Sequence, residues 1–320
     1  MKYTFRGSEI TDFQRCPKRY NYGWIQNLEP KVQNEKLTLG SAIHKFLETW
    51  YMSRRFKEAI EEMRNYIDDV VMNSDMEQVV IDEMIELAQG ICLNYHRTYG
   101  DDSNWTVLAV EKQFNVEFDD GTVYTGTIDL IVEDEDGHVW FVDHKTTISL
   151  DIYDKNSDMD RQISRYWWAL EQLGYNVHGF IYNIVLKDVP VEPKVLKSGA
   201  LSKDKSQKTT FELYMKAIED NNLKVSDYED FLQQLKDYPK EFFRRLKVER
   251  TPQECQAAIG EMLEVIEDIR DKHNNWRWYR NITKDCHWDC AFKSLCQAEM
   301  DGSNADHIRA ELFRVKEDLQ

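Results

Sequence analysis

The sequence predicts an α/β fold in which helices flank a central sheet of mixed strand direction. Three segments in the middle of the chain have the alternating or largely apolar pattern of β-strands, and short polar turns separate them. Amphipathic helical patterns precede and follow these strands, and a fourth apolar strand comes later. The order helix, three antiparallel strands, helix and strand is typical of a compact α/β core. The predicted strands span residues 105–118, 122–133, 138–145 and 178–187.

The region before the strands is predicted to be helical. Residues 8–20 form a short helix that Pro17 interrupts, because proline lacks the N–H donor that a helix interior needs. Residues 41–72 and 74–98 form two long amphipathic helices. The 3.6-residue period of the first is set by Ile43, Phe46, Leu47 and Trp50.

Polar turns set the antiparallel pairing of the strands. The residues Asp119-Asp120-Gly121 indicate a hairpin turn between the first and second strands. A polar loop with glycine near its end, residues 133–137, indicates a second hairpin. Residues 160–173 then form a helix that ends near Gly174, since glycine is preferred just beyond a helix C-terminus.

The C-terminal half begins with a lysine-rich loop that contains proline, residues 188–208. Two helical patterns follow, with one short strand between them. The tail, residues 303–320, is predicted to be a surface helix. The two helices span residues 209–238 and 252–274, and the strand spans Phe242–Val248.

Length and composition limit the class of protein. With 320 residues, of which 42% are hydrophobic, the chain can form one large domain or two modest ones. No apolar run approaches the length of a membrane span, and residues 1–6 do not open a signal peptide. We therefore expect a cytoplasmic location without a membrane partner, where six cysteines argue against a disulfide framework.

The formal net charge of −17 is unusual for a protein that binds nucleic acid, but the charge is unevenly distributed. Residues 1–57 have a net charge of +6, residues 58–160 of −21, and residues 161–320 of −2. We interpret part of the acidic stretch as the surroundings of a metal site and the rest as solvated surface.

Two neighbouring strands contain the residues that point to chemistry. Asp129 lies on one strand, and Asp143 and Lys145 end the next. Side chains alternate along a strand, so Asp143 and Lys145 share a face, and pairing can bring Asp129 beside them. Two carboxylates suit Mg²⁺ or Mn²⁺, and a nearby lysine can orient or deprotonate water and steady a phosphate charge. These groups together favour phosphodiester hydrolysis.

Further residues are candidates for the same site. His44 follows Gly40 by one helical turn, and its neutral imidazole is either an extra metal ligand or a structural helix histidine. Gln162 and Tyr166 lie four residues apart on one helix face, where they can hydrogen-bond the lysine, a phosphate or a base, or simply form an ordinary helix face. Glu111, which opens the earlier strand, is a candidate for holding a second metal or a metal-bound water.

Four cysteines suggest a second metal centre. The spacing Cys286-x3-Cys290-x5-Cys296 lies near the C-terminus, and Cys16 lies far upstream. Thiolates at such spacing bind Zn²⁺ or an iron–sulfur cluster. The other two cysteines fall in helical patterns and are interpreted as small core residues, Cys92 and Cys255.

The order His44, Asp129, Asp143-x-Lys145 and Gln162-x-x-x-Tyr166 resembles the PD-(D/E)XK nuclease superfamily, and within it the RecB-like exonucleases. That branch includes the nuclease domain of AddB and the CRISPR adaptation-associated exonucleases. The resemblance covers about residues 8–187 and the cysteine segment. It implies that the imidazole and both aspartates bind the ion, that the backbone carbonyl of His144 adds a ligand, and that the lysine activates water.

The same resemblance implies a [4Fe-4S] cluster held by Cys16, Cys286, Cys290 and Cys296. The relatives have the spacing Cys-x2-Cys-x5-Cys, which is one residue shorter than here, and His287 is a competing ligand. Zn²⁺ is the alternative to the cluster. Either centre would join the first helix to the C-terminal segment and close a ring around the core.

The expected organisation follows from these motifs. Residues 1–187 form the nuclease core with its N-terminal helical region, residues 188–275 form a mostly helical elaboration, and residues 276–320 form a cysteine segment that packs on the N-terminal region.

The resemblance implies a Mg²⁺- or Mn²⁺-dependent deoxyribonuclease that digests DNA from single-stranded ends in recombination, repair or replication. Relatives of this size and layout are also encoded by bacterial viruses. Two alternatives remain open: a non-catalytic, metal-stabilised scaffold that binds nucleic acid, and a redox protein that uses the cysteines.

Basic and aromatic residues near the cysteines are the candidates for contacting DNA. The basic candidates are Arg15, Lys18, Arg19, Arg277 and Arg280, with Arg244, Arg245 and Arg250 in the C-terminal half. The aromatic candidates for base stacking are Tyr20, Tyr22, Trp24, Trp276, Trp278 and Tyr279.

Overall fold

The structure is a computed structural model that describes residues 3–32, 34–72 and 76–316. Parts of two predicted helices, residues 74–75 and 317–320, lie outside the described residues. No helix within the described ranges combines the length and the apolar character needed to cross a membrane.

The helices and strands are numbered in chain order. The helices are α1 Gly7–Arg15, α2 Pro17–Tyr20, α3 Glu35–Ser53, α4 Phe56–Val71, α5 Gln78–Tyr99, α6 Asp151–Asn156, α7 Arg161–Gln172, α8 Phe211–Asp220, α9 Glu229–Asp237, α10 Pro252–Asn275, α11 Lys293–Asp301 and α12 Ala305–Leu312. The strands are β1 Thr4–Arg6, β2 Leu28–Pro30, β3 Thr106–Glu117, β4 Val123–Glu133, β5 Val139–Thr147, β6 Val177–Leu186, β7 Phe243–Val248 and β8 Phe313–Val315.

The central sheet is mixed, as predicted. Strands β3, β4 and β5 pair antiparallel in sequence order, β6 is parallel to β5, and β7 is antiparallel to β6. The sequence analysis missed β1, which pairs parallel with the start of β4. A three-residue strand has too few residues to show an alternating pattern, so only its tertiary partner defines it.

Strand β4 has two partners along one of its edges, and they leave a fork between them. Strand β1 pairs with residues 123–125 of β4, and β5 pairs with residues 130–133. On this edge, residues 126–129 have no strand partner among the described residues. Beyond Val142, β5 pairs with β6 and no longer with β4. The fork therefore exposes backbone groups that an unbroken sheet would use for pairing.

Helices cover both faces of the sheet. Helices α1, α7 and α10 contribute to one apolar cluster, in which Ile10, Ile163 and Met262 are buried. Helices α3, α4 and α5 contribute to the cluster on the other face, with Phe46 and Met63 at its centre. A sheet with both faces buried is the arrangement that the apolar strand patterns predict.

Three predicted helices differ from the structure. The helix predicted over residues 41–72 is two helices, because Arg54 adopts a left-handed φ of +57° and ends α3. The helix predicted over residues 209–238 is divided into α8 and α9. The predicted tail helix, where it is described, is short α12 followed by β8. In the first two cases a local turn interrupts the helical pattern, and in the tail the chain becomes extended at Phe313 to pair with β2.

Distant parts of the chain meet at two places. Strand β2 pairs antiparallel with β8, next to a small apolar cluster that contains Tyr22, Phe292 and Leu295. Strand β7 extends the central sheet, and α10 belongs to the cluster that also contains α7. The sheet thus includes residues from beyond position 187, and the division into three domains stays a prediction.

Strand β7 also contains a buried cation. The Arg245 guanidinium donates two hydrogen bonds of 2.7 Å to Asp102, whose side chain is only 3% exposed. The guanidinium also lies over the rings of Tyr99 and Trp105, 3.7 and 4.1 Å from their centroids. The prediction that Arg245 contacts nucleic acid is therefore wrong, because this side chain is committed to the interior.

We expect Arg245→Met to lower the free energy of unfolding by about 3–5 kcal/mol, because Asp102 would remain as a buried, unpaired charge. Arg244→Met is the control: half-buried Arg244 pairs with Glu241, Asp151 and Asp154, all more exposed than Asp102, and surface ion pairs contribute about 0–1 kcal/mol each, so its loss should cost less. Urea unfolding of both variants measures the difference. Equal losses would contradict this assignment.

Candidate active site

The two predicted aspartates meet at the fork of the sheet. Asp129 lies on the unpaired edge of β4, and Asp143 lies on β5 just after the strands separate. The His144 N–H, no longer paired with β4, donates a hydrogen bond of 2.7 Å to Asp129 Oδ2. Burial, and next the carboxylate of Asp143, raise the pKa of Asp129 well above its ordinary value. The two carboxyl groups at the fork are thus buried close together without enough positive charge nearby to balance both.

Lys145 and Gln162 hold the second aspartate. Lys145 Nζ lies 2.7 Å from Asp143 Oδ2, so the two side chains share a face of β5. Gln162 on α7 donates from Nε2 to Asp143 Oδ1 at 3.2 Å and accepts from Lys145 Nζ at 3.4 Å. Burial alone would lower the pKa of Lys145, but the Asp143 carboxylate outweighs it and raises that pKa. Lys145 is therefore an ammonium ion at neutral pH.

His44 approaches the aspartates from the other face of the sheet. Its Nδ1 atom lies 3.7 Å from Asp129 Oδ2. Helix α3 comes close to the end of β5 at Gly40, where a Cβ atom would lie 2.9 Å from Thr146 Oγ1. Burial lowers the pKa of His44, which keeps its imidazole neutral at neutral pH.

A buried polar network supports this part of β5. The His144 ring stacks on Tyr51 at a centroid distance of 5.7 Å, and its Nδ1 lies 2.8 Å from the Asn183 amide nitrogen. The amide donates this hydrogen bond, so the ring proton is on Nε2. Asn183 also donates to Tyr95, whose hydroxyl lies 3.2 Å from Arg245 Nη2. The sequence does not predict this network, because its members come from five separate segments.

Glu111 lies within β3 rather than at its start, in register with Asp129. Its φ of +47° is unusual for a residue other than glycine and stores backbone strain. Burial, and next the nearby Glu48, raise the pKa of Glu111. The predicted acid therefore reaches the site, and Glu48 joins it. Glu48 follows His44 by four residues on α3, a spacing that could have revealed it.

An open cleft gives access to these groups. Its volume is about 630 Å³, and it lies on the α3 side of the fork. Both acidic and basic side chains line it. The acidic lining is Glu48, Glu111 and Asp129, and the basic lining is Lys36, Lys45 and Lys187. Such a cleft can admit a phosphate group, and its carboxylates could hold a divalent cation that would polarise that phosphate.

The donor set fits a hard divalent cation. Carboxylates, a neutral imidazole and a backbone carbonyl are ligands that Mg²⁺ or Mn²⁺ accepts. The raised pKa of Asp129 also indicates a site that lacks positive charge. Within the described ranges, the ligand atoms of His44, Asp129 and Asp143 do not all lie within 4.8 Å of one another. A cation at this site would compete with Lys145 for Asp143.

A second acidic group lies in the β4–β5 hairpin. Ligand atoms of Asp134, Asp136 and His138 lie within 4.8 Å of one another. Asp134, however, already accepts hydrogen bonds from the backbone N–H groups of Asp136 and His138 and from the Trp140 indole. These contacts are those of a tight polar turn, and they account for the group without a metal.

The four predicted cysteines line one cavity of about 160 Å³, and the protein has no disulfide among its described cysteines. Backbone N–H groups point at two of the sulfurs, with Asn281 N 3.4 Å from Cys16 Sγ and Thr283 N 3.5 Å from Cys286 Sγ. The Arg280 Nε atom lies 3.2 Å from Cys296 Sγ. Donors around sulfur stabilise thiolates and so fit a thiolate-bound metal centre.

The sulfur positions also bear on which centre fits. A tetrahedral zinc site with Zn–S bonds of 2.3 Å requires sulfurs about 3.8 Å apart. In the described part of the chain, no three cysteine sulfurs lie within 4.8 Å of one another. This separation is wider than a zinc site requires. The remaining cysteines, Cys92 and Cys255, are buried in the two apolar clusters, as predicted for core residues.

The basic residues near the cysteines mostly form internal ion pairs. Two of these pairs join Arg15 and Lys18 to the C-terminal segment, and nucleic acid would have to compete with all of them. Only the exposed Arg277 has no ion pair to another described residue, and the role of all five in binding DNA stays a prediction. The pairs are Arg15–Asp289, Lys18–Glu299, Arg19–Asp12 and Arg280–Glu299.

The predicted stacking residues differ in exposure, and Trp24 and Trp278 are half-buried against the cluster that contains α1. Tyr20 and Tyr22 are each 1% exposed and cannot stack on bases, so that prediction is wrong for both. Burial follows from the apolar clusters that α2 and the turn after it join. Trp276 and Tyr279 are exposed and remain available. Exposed aromatic rings of this kind can stack on unpaired bases.

Comparisons with known proteins complete this description. A search of curated proteins found no match. Of the solved structures, one named SSO0001 shares 13% identity with this chain, and the match covers 93% of this chain and 87% of the other, with a TM-score of 0.37. An exonuclease candidate from Eubacterium rectale shares 11% identity over 90% of this chain and 88% of its own, with a TM-score of 0.46. At such identities and scores, neither structure supports a conclusion about activity.

The family comparison covers almost the whole chain. Residues 7–297 match the model of the PD-(D/E)XK nuclease superfamily. This range includes every residue of the fork and all four cysteines that line the 160 Å³ cavity. The chain therefore belongs to the PD-(D/E)XK nuclease superfamily.

Proposed function

We propose that the protein is a Mg²⁺- or Mn²⁺-dependent DNA exonuclease that hydrolyses phosphodiester bonds at single-stranded ends. Nucleases of this superfamily generally use divalent cations, which gives the class of activity. The observation that supports the proposal is the convergence of Asp129, Asp143, Lys145 and His44 at the fork, beside an open cleft. Phosphodiester hydrolysis needs these groups in one place.

The residues that would hold the cation are His44, Asp129 and Asp143, with the backbone carbonyl of His144. When bound there, the cation would withdraw charge from the scissile phosphate and favour attack by water. Glu111 and Glu48 line the same cleft, and we propose that Glu111 helps to orient the cation or a second one. Neutral His44 can supply a lone pair at neutral pH because burial lowers its pKa.

We assign Lys145 an electrostatic role. An ammonium ion carries no lone pair, so Lys145 in the state described here donates hydrogen bonds and cannot accept a proton. It would orient the attacking water and stabilise the negative charge that develops on the phosphate. If Lys145 were released from Asp143, the contact that raises the pKa of Lys145 would be lost, and Lys145 would give up a proton more readily.

Gln162 and Tyr166 are proposed to position these groups. Gln162 contacts both Asp143 and Lys145, and so fixes the distance between the carboxylate and the ammonium. Burial, and next the Asp143 charge, raise the pKa of Tyr166 to about 12, so its phenol remains protonated and can donate to a phosphate oxygen.

Action at single-stranded ends is supported by the exposed rings of Trp276 and Tyr279, which can stack on unpaired bases. The acidic net charge predicts weak, salt-sensitive binding to duplex DNA. A cytoplasmic role in recombination, repair or replication belongs to this proposal through the RecB-like resemblance.

We also propose that Cys16, Cys286, Cys290 and Cys296 hold a [4Fe-4S] cluster, with zinc as the alternative. The shared cavity and the donors to sulfur support a thiolate-bound centre, and the RecB-like resemblance favours the cluster. Its role would be structural, since it would link α1 to α11 across 280 positions of the chain, from Cys16 to Cys296.

We expect Asp143→Asn to abolish hydrolysis and Lys145→Met to lower kcat by about 10²–10³-fold, while both variants still bind single-stranded DNA. Release of nucleotides from end-labelled DNA in Mg²⁺ or Mn²⁺ measures the rates. The control is Asp136→Asn on the exposed hairpin, which should keep wild-type activity. Binding without hydrolysis by the wild-type protein in both ions would favour the non-catalytic scaffold.

Asp129→Asn should separate folding from function. The pKa of Asp129 is raised in the folded protein, so its ionised form weakens folding at pH values above that raised pKa, and a neutral amide removes this penalty. The variant should unfold at the same or a higher Tm without added metal, yet show no Tm increase with Mn²⁺, whereas the wild type should show one. If Mn²⁺ stabilised both equally, the ion would bind elsewhere.

We expect Cys290→Ala to give a colourless protein of lower Tm, because one thiolate of the centre is lost. Cys255→Ala is the control: it removes a buried core thiol and should leave visible absorbance unchanged. The measurements are the visible spectrum and the iron and zinc content after anaerobic purification. A brown Cys290→Ala protein with wild-type iron content would refute the assignment.

A further inference from the structure

A second cavity opens on the other side of the fork. Its volume is about 870 Å³, and it lies between α1, β4 and α7. Gln162 and Tyr166 line this cavity and also reach the acidic site, so the two regions are continuous. The cleft on the α3 side shares neither residue. A strand whose scissile phosphate reached Asp143 would therefore have a neighbouring phosphate near this cavity.

Arg165 is a buried cation of this cavity that has no ion pair within the described part of the chain. The residue is only 2% exposed, and its Nε and Nη2 atoms make no hydrogen bond to any described residue. Nearby acids are already engaged: Asp160 caps α7 and accepts from Tyr182, and Glu261 pairs with Arg161. A buried guanidinium is unfavourable unless something pairs with it, which in this position points to a ligand.

Further free donors lie next to Arg165. The Tyr124 hydroxyl is buried and makes no hydrogen bond within the described ranges. It lies beside the start of α1, where a Cβ on Gly7 would be 3.3 Å from the hydroxyl oxygen. The N-cap residue is Arg6, whose own N–H donates a hydrogen bond of 3.3 Å to the Glu9 side chain. The Arg6 guanidinium cannot accept a hydrogen bond, so among the described residues no N-cap side chain engages the first-turn N–H groups of α1, which are left for an anion.

The charge of the lining is also unusual for this protein. Three arginines and one aspartate line the cavity, in a chain whose net charge is −17. The aspartate, Asp12, is occupied by Arg19 and by the Trp24 indole. The other two arginines, Arg6 and Arg165, form no ion pair among the described residues, although the charges of Glu9 and Arg6 act on each other.

We propose that this cavity, named here the phosphate pocket, binds a phosphate group of the substrate strand next to the one that is cleaved. The Arg165 guanidinium, the Tyr124 hydroxyl and the first-turn N–H groups of α1 would contact it. The identity of the strand rests on the proposed nuclease function, whereas binding of a phosphate does not. The phosphate is either a terminal monoester, which would select chain ends, or an internal diester, which would align the strand.

The test uses Arg165→Met, with Arg161→Met as the matched control. Arg161 lies on the same helix but is exposed and paired with Glu261. Binding of labelled single strands is measured by fluorescence anisotropy in EDTA, so that no hydrolysis occurs. The strands carry a phosphate or a hydroxyl at each end in turn. We expect Arg165→Met to weaken binding by at least about 10-fold, and the control by less than about 2-fold.

The pattern of loss identifies the bound group. A loss confined to strands with a phosphate at one particular end assigns the pocket to a terminal monoester. An equal loss for all strands assigns it to an internal diester. Wild-type affinity of Arg165→Met for every strand would overturn the proposal.

Thermal unfolding tests phosphate binding without relying on nuclease activity, and it also shows whether the variants are folded. Removing an unpaired buried charge should leave the Tm of Arg165→Met unchanged or raise it. Inorganic phosphate should raise the Tm of the wild type but not of this variant. Tyr124→Phe, which removes only the free hydroxyl, should halve the phosphate effect or reduce it further. If phosphate stabilised all three proteins alike, the pocket would not be a phosphate site, whether or not the wild type cleaves DNA.

Discussion

The burial of charge at the fork is the constraint on which the remaining structure depends. Two carboxylates and an ammonium ion lie where a sheet interior would normally hold apolar residues. The sheet accommodates them by separating β4 from β5, which frees the His144 N–H to hydrogen-bond Asp129. Each polar contact offsets part of the free-energy cost of removing these charges from water. Because acidic groups outnumber basic ones at the fork, a bound cation would stabilise it.

The support for this arrangement comes from outside the segments that hold the charged groups. Strand β7 brings Arg245 to Asp102, and this pair connects through Tyr95 and Asn183 to the ring of His144. A shift of β7 would therefore disturb the backbone that faces the fork. The region after β6 therefore helps to support the site through β7, although none of its charged side chains belongs to the site.

The sequence predicted secondary structure correctly where residues close together in the chain determine it. The strands around the two aspartates were predictable because apolar alternation and hairpin turns are local signals. The break at Arg54 and the short strand β1 were not, since both depend on contacts with distant segments. Composition also cannot tell an arginine that faces solvent from one committed to the interior, as Arg245 shows, or from one left without a partner, as Arg165 shows.

The pairing of β2 with β8 has a consequence for biosynthesis. Glu29 and Arg314, which meet across these strands, are 285 positions apart. At ordinary rates of translation, a ribosome needs roughly 15–60 s to travel that distance, so β2 emerges long before its partner exists. The β2–β8 pair can form only after residues 313–315 have been synthesised. Until then β2 lacks its strand partner, and its backbone N–H and C=O groups are available to chaperones.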